Sequence, residues 1–137
     1  MPGSGKTFEI SLVTPERRVL SVTCDEVRAP GVQGGFGVRL NHEPFMTALE
    51  PGRLTYVEGG REHHYAIGGG FFQVAENRAI VLADTAEAAA DIDVARAKRA
   101  FEEAQEKLLK STEQDEHHAE EAARVRRAAA RLGVAGK

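Results

Sequence analysis

The stretch from Arg28 to Leu54 limits the fold more than any other, because it alternates short apolar runs with Gly pairs and X-Pro steps. Pro30-Gly31, Gly34-Gly35, Pro44 and Pro51-Gly52 impose tight turns between strands too short to stand alone. A segment so densely turned must lie on a sheet, and it is expected to form one working face of a small sandwich.

The residues on either side supply that sheet. Phe8 to Val13 alternates apolar and polar side chains, the period of a strand with one buried face. Thr14-Pro15 breaks the alternation, and Val19–Cys24 and Glu26–Ala29 resume it. Leu54–Val57 and His63–Ile67 flank Glu58-Gly59-Gly60-Arg61, which reads as a hairpin loop. Gly68-Gly69-Gly70 allows a bend where two layers approach closely, and Phe71–Val74 and Ala79–Ala83 close the series through Glu76-Asn77-Arg78. Many short strands with no helical period between them predict an antiparallel sandwich or barrel. Every Phe except Phe101 falls in this part, so the main core is expected here.

At Ala86-Glu87-Ala88-Ala89-Ala90 the composition changes, and Gly and Pro give way to Ala, Glu, Lys and Arg. The expected division is a β-sandwich over residues 1–87 and a mobile helical hairpin over residues 88–137. Val94, Ala97, Phe101, Ala104 and Leu108 make one apolar helical stripe, with Asp91 or Asp93 as its cap. A second stripe runs through His118, Ala122, Val125, Ala129 and Leu132 and stops at Gly133. Two such helices should fold back antiparallel. Their Ala-rich seam buries little area at roughly 25 cal/mol per Å², so the hairpin must lean on the sandwich or on a partner.

At 137 residues the chain has room for one domain plus an appendage, and 42% hydrophobic with 28% charged residues is a globular balance. No apolar run approaches the ~20 residues that span a bilayer, and the opening Met1-Pro2-Gly3-Ser4-Gly5-Lys6 lacks the apolar core of a signal peptide. The protein is therefore expected to stay in the compartment where it is made. A net charge of −3 gives no general attraction to nucleic acid, so no nucleic-acid partner is expected. Cys24 is the single cysteine, which rules out an internal disulfide and suits a reducing compartment.

The chemical motifs are thin. Gly3-Ser4-Gly5-Lys6-Thr7 resembles the end of a phosphate-binding loop but lacks the earlier Gly and the leading strand. Gly34-Gly35-Phe36-Gly37 carries no Lys and reads as hairpin glycine. Neither His63-His64 nor His117-His118 can chelate alone, because neighbouring side chains diverge on a strand and on a helix, and no metal site is expected. Nothing resembles a nucleophile elbow or a paired acid–base site, so no catalytic residue is assigned. Asp93 and Arg96 lie three apart on one helical face, where they either pair or face a ligand wanting an acceptor and a cation together. On the last helix acids come first (Glu113, Asp115, Glu116, Glu120, Glu121) and bases last (Arg124, Arg126, Arg127, Arg131). That order suits the helix dipole and also leaves a cationic end able to grip an acidic surface.

Taken in order, Gly37-Val38-Arg39-Leu40-Asn41-His42-Glu43-Pro44-Phe45-Met46-Thr47-Ala48, Pro51-Gly52, Gly69-Gly70-Phe71-Phe72-Gln73-Val74, Val81-Leu82-Ala83-Asp84-Thr85-Ala86 and Ile92-Asp93-Val94-Ala95-Arg96-Ala97 resemble the epsilon subunit of bacterial F-type ATP synthases, called delta in mitochondria. The resemblance runs from Phe8 to Leu132. It implies a ten-stranded antiparallel β-sandwich that clamps the gamma subunit and sits on the c-subunit ring, and a C-terminal two-helix hairpin that reaches the catalytic alpha/beta head and restrains ATP hydrolysis. It implies an accessory subunit at the cytoplasmic face of the bacterial inner membrane, held there only through the complex. The expected partner contacts are Gly35, Phe36, His42, Pro44, Arg124 and Arg126. No cofactor is required, but regulatory ATP is implied by Ile92, Asp93, Arg96 and Ala97, with Arg127 and Arg131 the nearest matches for the arginines that complete such a site. Gly34-Gly35 stands where the family often carries an acid, and Glu102-Glu103 where nucleotide-binding members tend to place a base. The alternative is a free-standing β-sandwich adaptor whose hairpin binds another coiled-coil partner.

Overall fold

Alternation becomes structure in the first strand, where Phe8, Ile10 and Leu12 point inward and Glu9, Ser11 and Val13 outward. The computed structural model describes residues 6–112 and 116–135. Its strands are β1 (Phe8–Val13), β2 (Arg18–Cys24), β3 (Glu26–Gly31), β4 (Gly34–Val38), β5 (Phe45–Glu58), β6 (Arg61–Ala75), β7 (Arg78–Ala83) and β8 (Ala86–Ala88). A short 3-10 turn at Ala89–Asp91 leads to helices α1 (Val94–Lys110) and α2 (His118–Val134).

β5 and β6 are 14 and 15 residues long and pair along nearly their whole length. Their pairing lapses only between Leu49↔Gly70 and Pro51↔Gly68, where Gly69 and Gly70 take φ of 102° and 142°. A bend at this point turns one continuous sheet into two layers. Layer one runs β2, β1, β7, then the later half of β6 and the earlier half of β5. Layer two runs β8, the earlier half of β6, the later half of β5, β3 and β4. Eight strands are present among the described residues, and counting β5 and β6 twice, once in each layer, gives ten. Pairing is antiparallel except between β1 and β7, which run parallel.

The Arg28–Leu54 stretch is not a single face. It begins in layer two with β3 and β4, passes through residues 39–44, and enters layer one as β5 before bending back. Between the layers lies the main core, with Ile10, Leu12, Val27, Val38, Leu54, Phe72 and Val81 among its buried members. Phe36 of β4 meets Phe72 of β6 edge to face at 4.9 Å, so the layers interlock through aromatic rings.

Asp93 caps α1: its Oδ1 accepts from the Arg96 backbone N–H at 3.1 Å. Ala97 and Ala104 are buried on this helix, as its stripe predicts, but Val94 is 55% exposed. On α2 the buried residues are Ala128 and Val134, and Ala129 faces outward, so the seam lies to one side of the expected stripe. The reason is its neighbour: α2 packs on the sheet at β5 and β6 as well as on α1, which rotates its apolar face. Nor does Gly133 stop the helix, which runs one residue further. A second, smaller cluster joins hairpin to sandwich through Ala66, Ala89, Ile92, Ala97 and Val134. Gly3 to Gly5, Glu113 and Asp115 lie outside the described residues.

Candidate functional site

Register places an apolar strip on the outer face of layer one. Val13, Leu82, Phe71 and Ala48 align across four strands, and Ser11, Ile80, Gln73 and Met46 make the next row. Leu82 is 54% exposed, Met46 64% and Phe71 48%, which is unusual for large apolar side chains standing together. The sequence carries the signal for this strip: Phe71-Phe72 and Ile80-Val81-Leu82 are apolar at consecutive positions, so both faces of those strands are apolar.

At one end of the sandwich, residues 39–44 link β4 to β5. His42 Nδ1 lies 2.7 Å from the Glu43 carbonyl, its ring meets Phe45 at 5.9 Å, and Pro44 is exposed. Gly35 is exposed on β4, whereas Phe36 turns inward and packs on Phe45 and Phe72. Of these four predicted contact residues, His42 and Pro44 lie in this link and Phe36 packs beneath it against Phe45, whereas Gly35 lies beside the β3–β4 turn at the other end of β4.

Between α1, α2 and the sheet lies a cleft of about 380 Å³, within the range of small-ligand sites. Lys107, Arg124, Arg127 and Arg131 line it together with Glu87, Glu103 and Glu121. Arg131 Nε donates to Glu87 Oε1 at 2.6 Å, and Nη2 to Oε2 at 3.4 Å, a two-point pair joining α2 to β8. Arg124 donates to Glu120 and Glu121, each at 3.4 Å. Lys107 and Arg127 have no ion pair among the described residues. Arg126 lines the adjoining groove with Gly68, Gly69, Gly70, Asp84 and Arg127.

The other predicted ligand residues are placed differently. Ile92 and Ala97 are buried in the small cluster, Asp93 is the helix cap, and Arg96 is exposed and outside the cleft lining. The structure therefore brings Arg124, Arg127 and Arg131 together and leaves Asp93 and Arg96 apart from them. Sequence reasoning missed Glu87 and Lys107, whose roles emerge only when β8 and both helices converge.

Among the described residues no group of three or more His, Cys, Asp or Glu is arranged to hold a metal ion. Among the same residues no helix is long and apolar enough to cross a membrane. Burial pushes the Cys24 thiol up to about 12, with the Asp25 charge adding to it, so at neutral pH Cys24 is a protonated core residue.

Residues 7–89 match the family described as ATP synthase, Delta/Epsilon chain, beta-sandwich domain, and residues 90–136 match its long alpha-helix domain. The chain belongs to the ATP synthase delta/epsilon family. An ATP synthase epsilon chain of Anaeromyxobacter sp. (strain Fw109-5) is 80% identical over 128 residues, covering 93% of this chain and 97% of the relative. One from Myxococcus xanthus is 47% identical over 126 residues, covering 92% and 93%. The fold is shared with a chain in the Euglena gracilis mitochondrial ATP synthase structure (OSCP/F1/c-ring), at a TM-score of 0.79 and 24% identity, covering 93% of this chain and 79% of that one. Membership in the ATP synthase delta/epsilon family makes the protein an accessory subunit, since the catalyst is the complex.

Proposed function

We propose that this subunit couples the gamma shaft to the c ring of an F-type ATP synthase and restrains ATP hydrolysis by moving its C-terminal hairpin. The observation that carries the reading is how the hairpin is held. Its contact with the sandwich is a cluster of five buried residues, three of them alanine, separate from the main core. So small an apolar contact leaves the docked and undocked arrangements close in free energy, as a reversible brake requires. The sandwich is the rigid part, and its apolar strip of Met46, Phe71, Ile80 and Leu82 offers gamma a face to bury. His42 and Pro44 at the sandwich end are the proposed c-ring contacts, and Arg124 and Arg126 the proposed contacts with the catalytic head when the hairpin is released. The protein would then lie at the cytoplasmic face of the bacterial inner membrane, held through the complex.

An ATPase assay of the reconstituted head tests this. The full chain should inhibit hydrolysis, and a version ending at Ala90 should not. Equal rates with the two versions would refute the brake. Failure to co-purify with gamma and the catalytic subunits would instead favour a free-standing adaptor.

ATP is proposed as a regulatory ligand of the cleft between hairpin and sandwich. Its cations suit a polyphosphate, with Lys107 and Arg127 available and Arg131 reachable if Glu87 is displaced. Glu103 and Glu121 oppose the same charge, so binding should be weak. Calorimetric titration of ATP should give a weaker signal with Arg127→Ala. Asp93→Ala would unsettle α1 whether or not ATP binds, so Asp93→Asn, which keeps a capping oxygen, is the informative change there. Unchanged affinity in Arg127→Ala would remove ATP from this cleft.

A further inference from the structure

Two left-handed residues far apart in sequence meet at the end of the sandwich. The β6–β7 connection is the two-residue turn Glu76-Asn77, with φ of 51° and 61°, the type I′ geometry that matches strand twist. Glycine would close this turn with less strain, yet Asn occupies its second position. Asn41, in the six-residue link between β4 and β5, also has a positive φ, 65°. The pair bond reciprocally: the Asn41 backbone N–H donates to Asn77 Oδ1 at 2.7 Å, and Asn77 Nδ2 donates to Asn41 Oδ1 at 3.3 Å. The turn is itself anchored, because the Asn77 carbonyl accepts from the Glu9 N–H at 3.1 Å. Within the link, the backbone bond among the described residues is His42 N–H to the Arg39 carbonyl, a long 3.3 Å. Arg39 pairs with Glu26 and Leu40 packs on the core, and beyond them Asn41 is held from outside the link, by a side chain in the β6–β7 turn.

We propose that Asn77 is a positioning residue for rotor contact, clasping Asn41 so that His42 and Pro44 are presented in one orientation before the partner arrives. A link ordered in advance loses less conformational freedom on binding, so the clasp acts on affinity without touching the partner. The inference rests on the reading that residues 39–44 meet the rotor.

The test uses the full-length chain and a purified gamma–c-ring subcomplex. Asn77→Gly keeps the turn, since Gly favours positive φ, and removes both hydrogen bonds of the clasp. Its melting temperature should stay close to that of the parent. Hydrogen exchange at the Asn41 amide should accelerate, and affinity for the subcomplex should fall roughly tenfold, the cost of fixing about one further backbone residue on binding. Asn41→Gly keeps the N–H and the φ preference but loses Oδ1, so it should show a smaller fall, and it decides the matter if Asn77→Gly does not fold. An unchanged Asn41 exchange rate in Asn77→Gly overturns the clasp. Parental affinity in the Gly variants while His42→Ala binds more weakly overturns the clasp and leaves the contact reading standing. Parental affinity in all three variants, His42→Ala included, overturns the contact reading and the inference with it.

Discussion

Glu26 shows how a single carboxylate can organise a face without forming a site. Its side chain is 17% exposed, and it accepts from Arg28 Nε at 2.7 Å and from Arg39 Nη2 at 3.0 Å, while Arg28 also reaches Glu62 at 3.0 Å. The Arg28 hydrogen bond holds the Glu26 carboxyl below its usual range, with Arg39 adding a smaller share. A folded pKa below the unfolded one stabilises the protein above the unfolded value, and that stabilisation is lost as pH falls through the folded pKa. Both arginines are largely in water, so the pairs are screened and their worth is modest. Glu26→Gln should lower stability by about 1 kcal/mol or less at neutral pH, with the gap closing in acid. Urea melts of the two proteins across pH measure this, and a gap that persists unchanged into acid would refute it. Asp93 teaches the complementary lesson, since a residue that suits a ligand in sequence is occupied by the first turn of its own helix.

Elements rather than residues determine how the sheet becomes two layers. At Gly70 an added Cβ would strike the Leu82 carbonyl and come within 2.8 Å of the Ala83 Cα, in a backbone conformation of φ 142° that other residues avoid. Gly70→Ala should therefore cost about 3 kcal/mol or more, or prevent folding, whereas most surface changes cost far less. Thermal melting distinguishes these outcomes, and a parental melting temperature would show that the bend does not need glycine. The bend was legible in Gly68-Gly69-Gly70, as were the alternating strands and the Glu58–Arg61 hairpin, because each depends on local chemistry. Less legible were the parallel β1–β7 pair, the rotated seam of α2 and the Glu87–Arg131 bridge. Those depend on which elements meet, and residues 44 apart carry no local sign that they will. The apolar strip was within reach of the sequence, since its consecutive apolar residues departed from simple alternation, yet alternation alone directed attention to the buried face.

At the scale of the whole molecule, two apolar clusters of unequal size divide the work. Every fully buried member of the main core lies at or before Ala83, so the sandwich encloses its interior without help from the helices. The smaller cluster draws on both parts, with Ala66 from the sheet and Ala97 and Val134 from the hairpin, and the Glu87–Arg131 pair spans the same seam. Neither contact is large: alanine buries little surface, and the ion pair is partly solvated. A chain ending at Ala90 should consequently remain folded, with β-sheet circular dichroism retained and a melting temperature lowered by no more than a few degrees from the newly exposed Ala66 and Ala89. The same reasoning predicts faster hydrogen exchange in α1 and α2 of the full chain than in β1, β6 and β7, because local opening of the hairpin leaves the main core closed. An unfolded truncated chain would mean that the helices are part of one interior, and a hairpin welded in that way could not serve as a brake that releases while the sandwich stays fixed to the rotor.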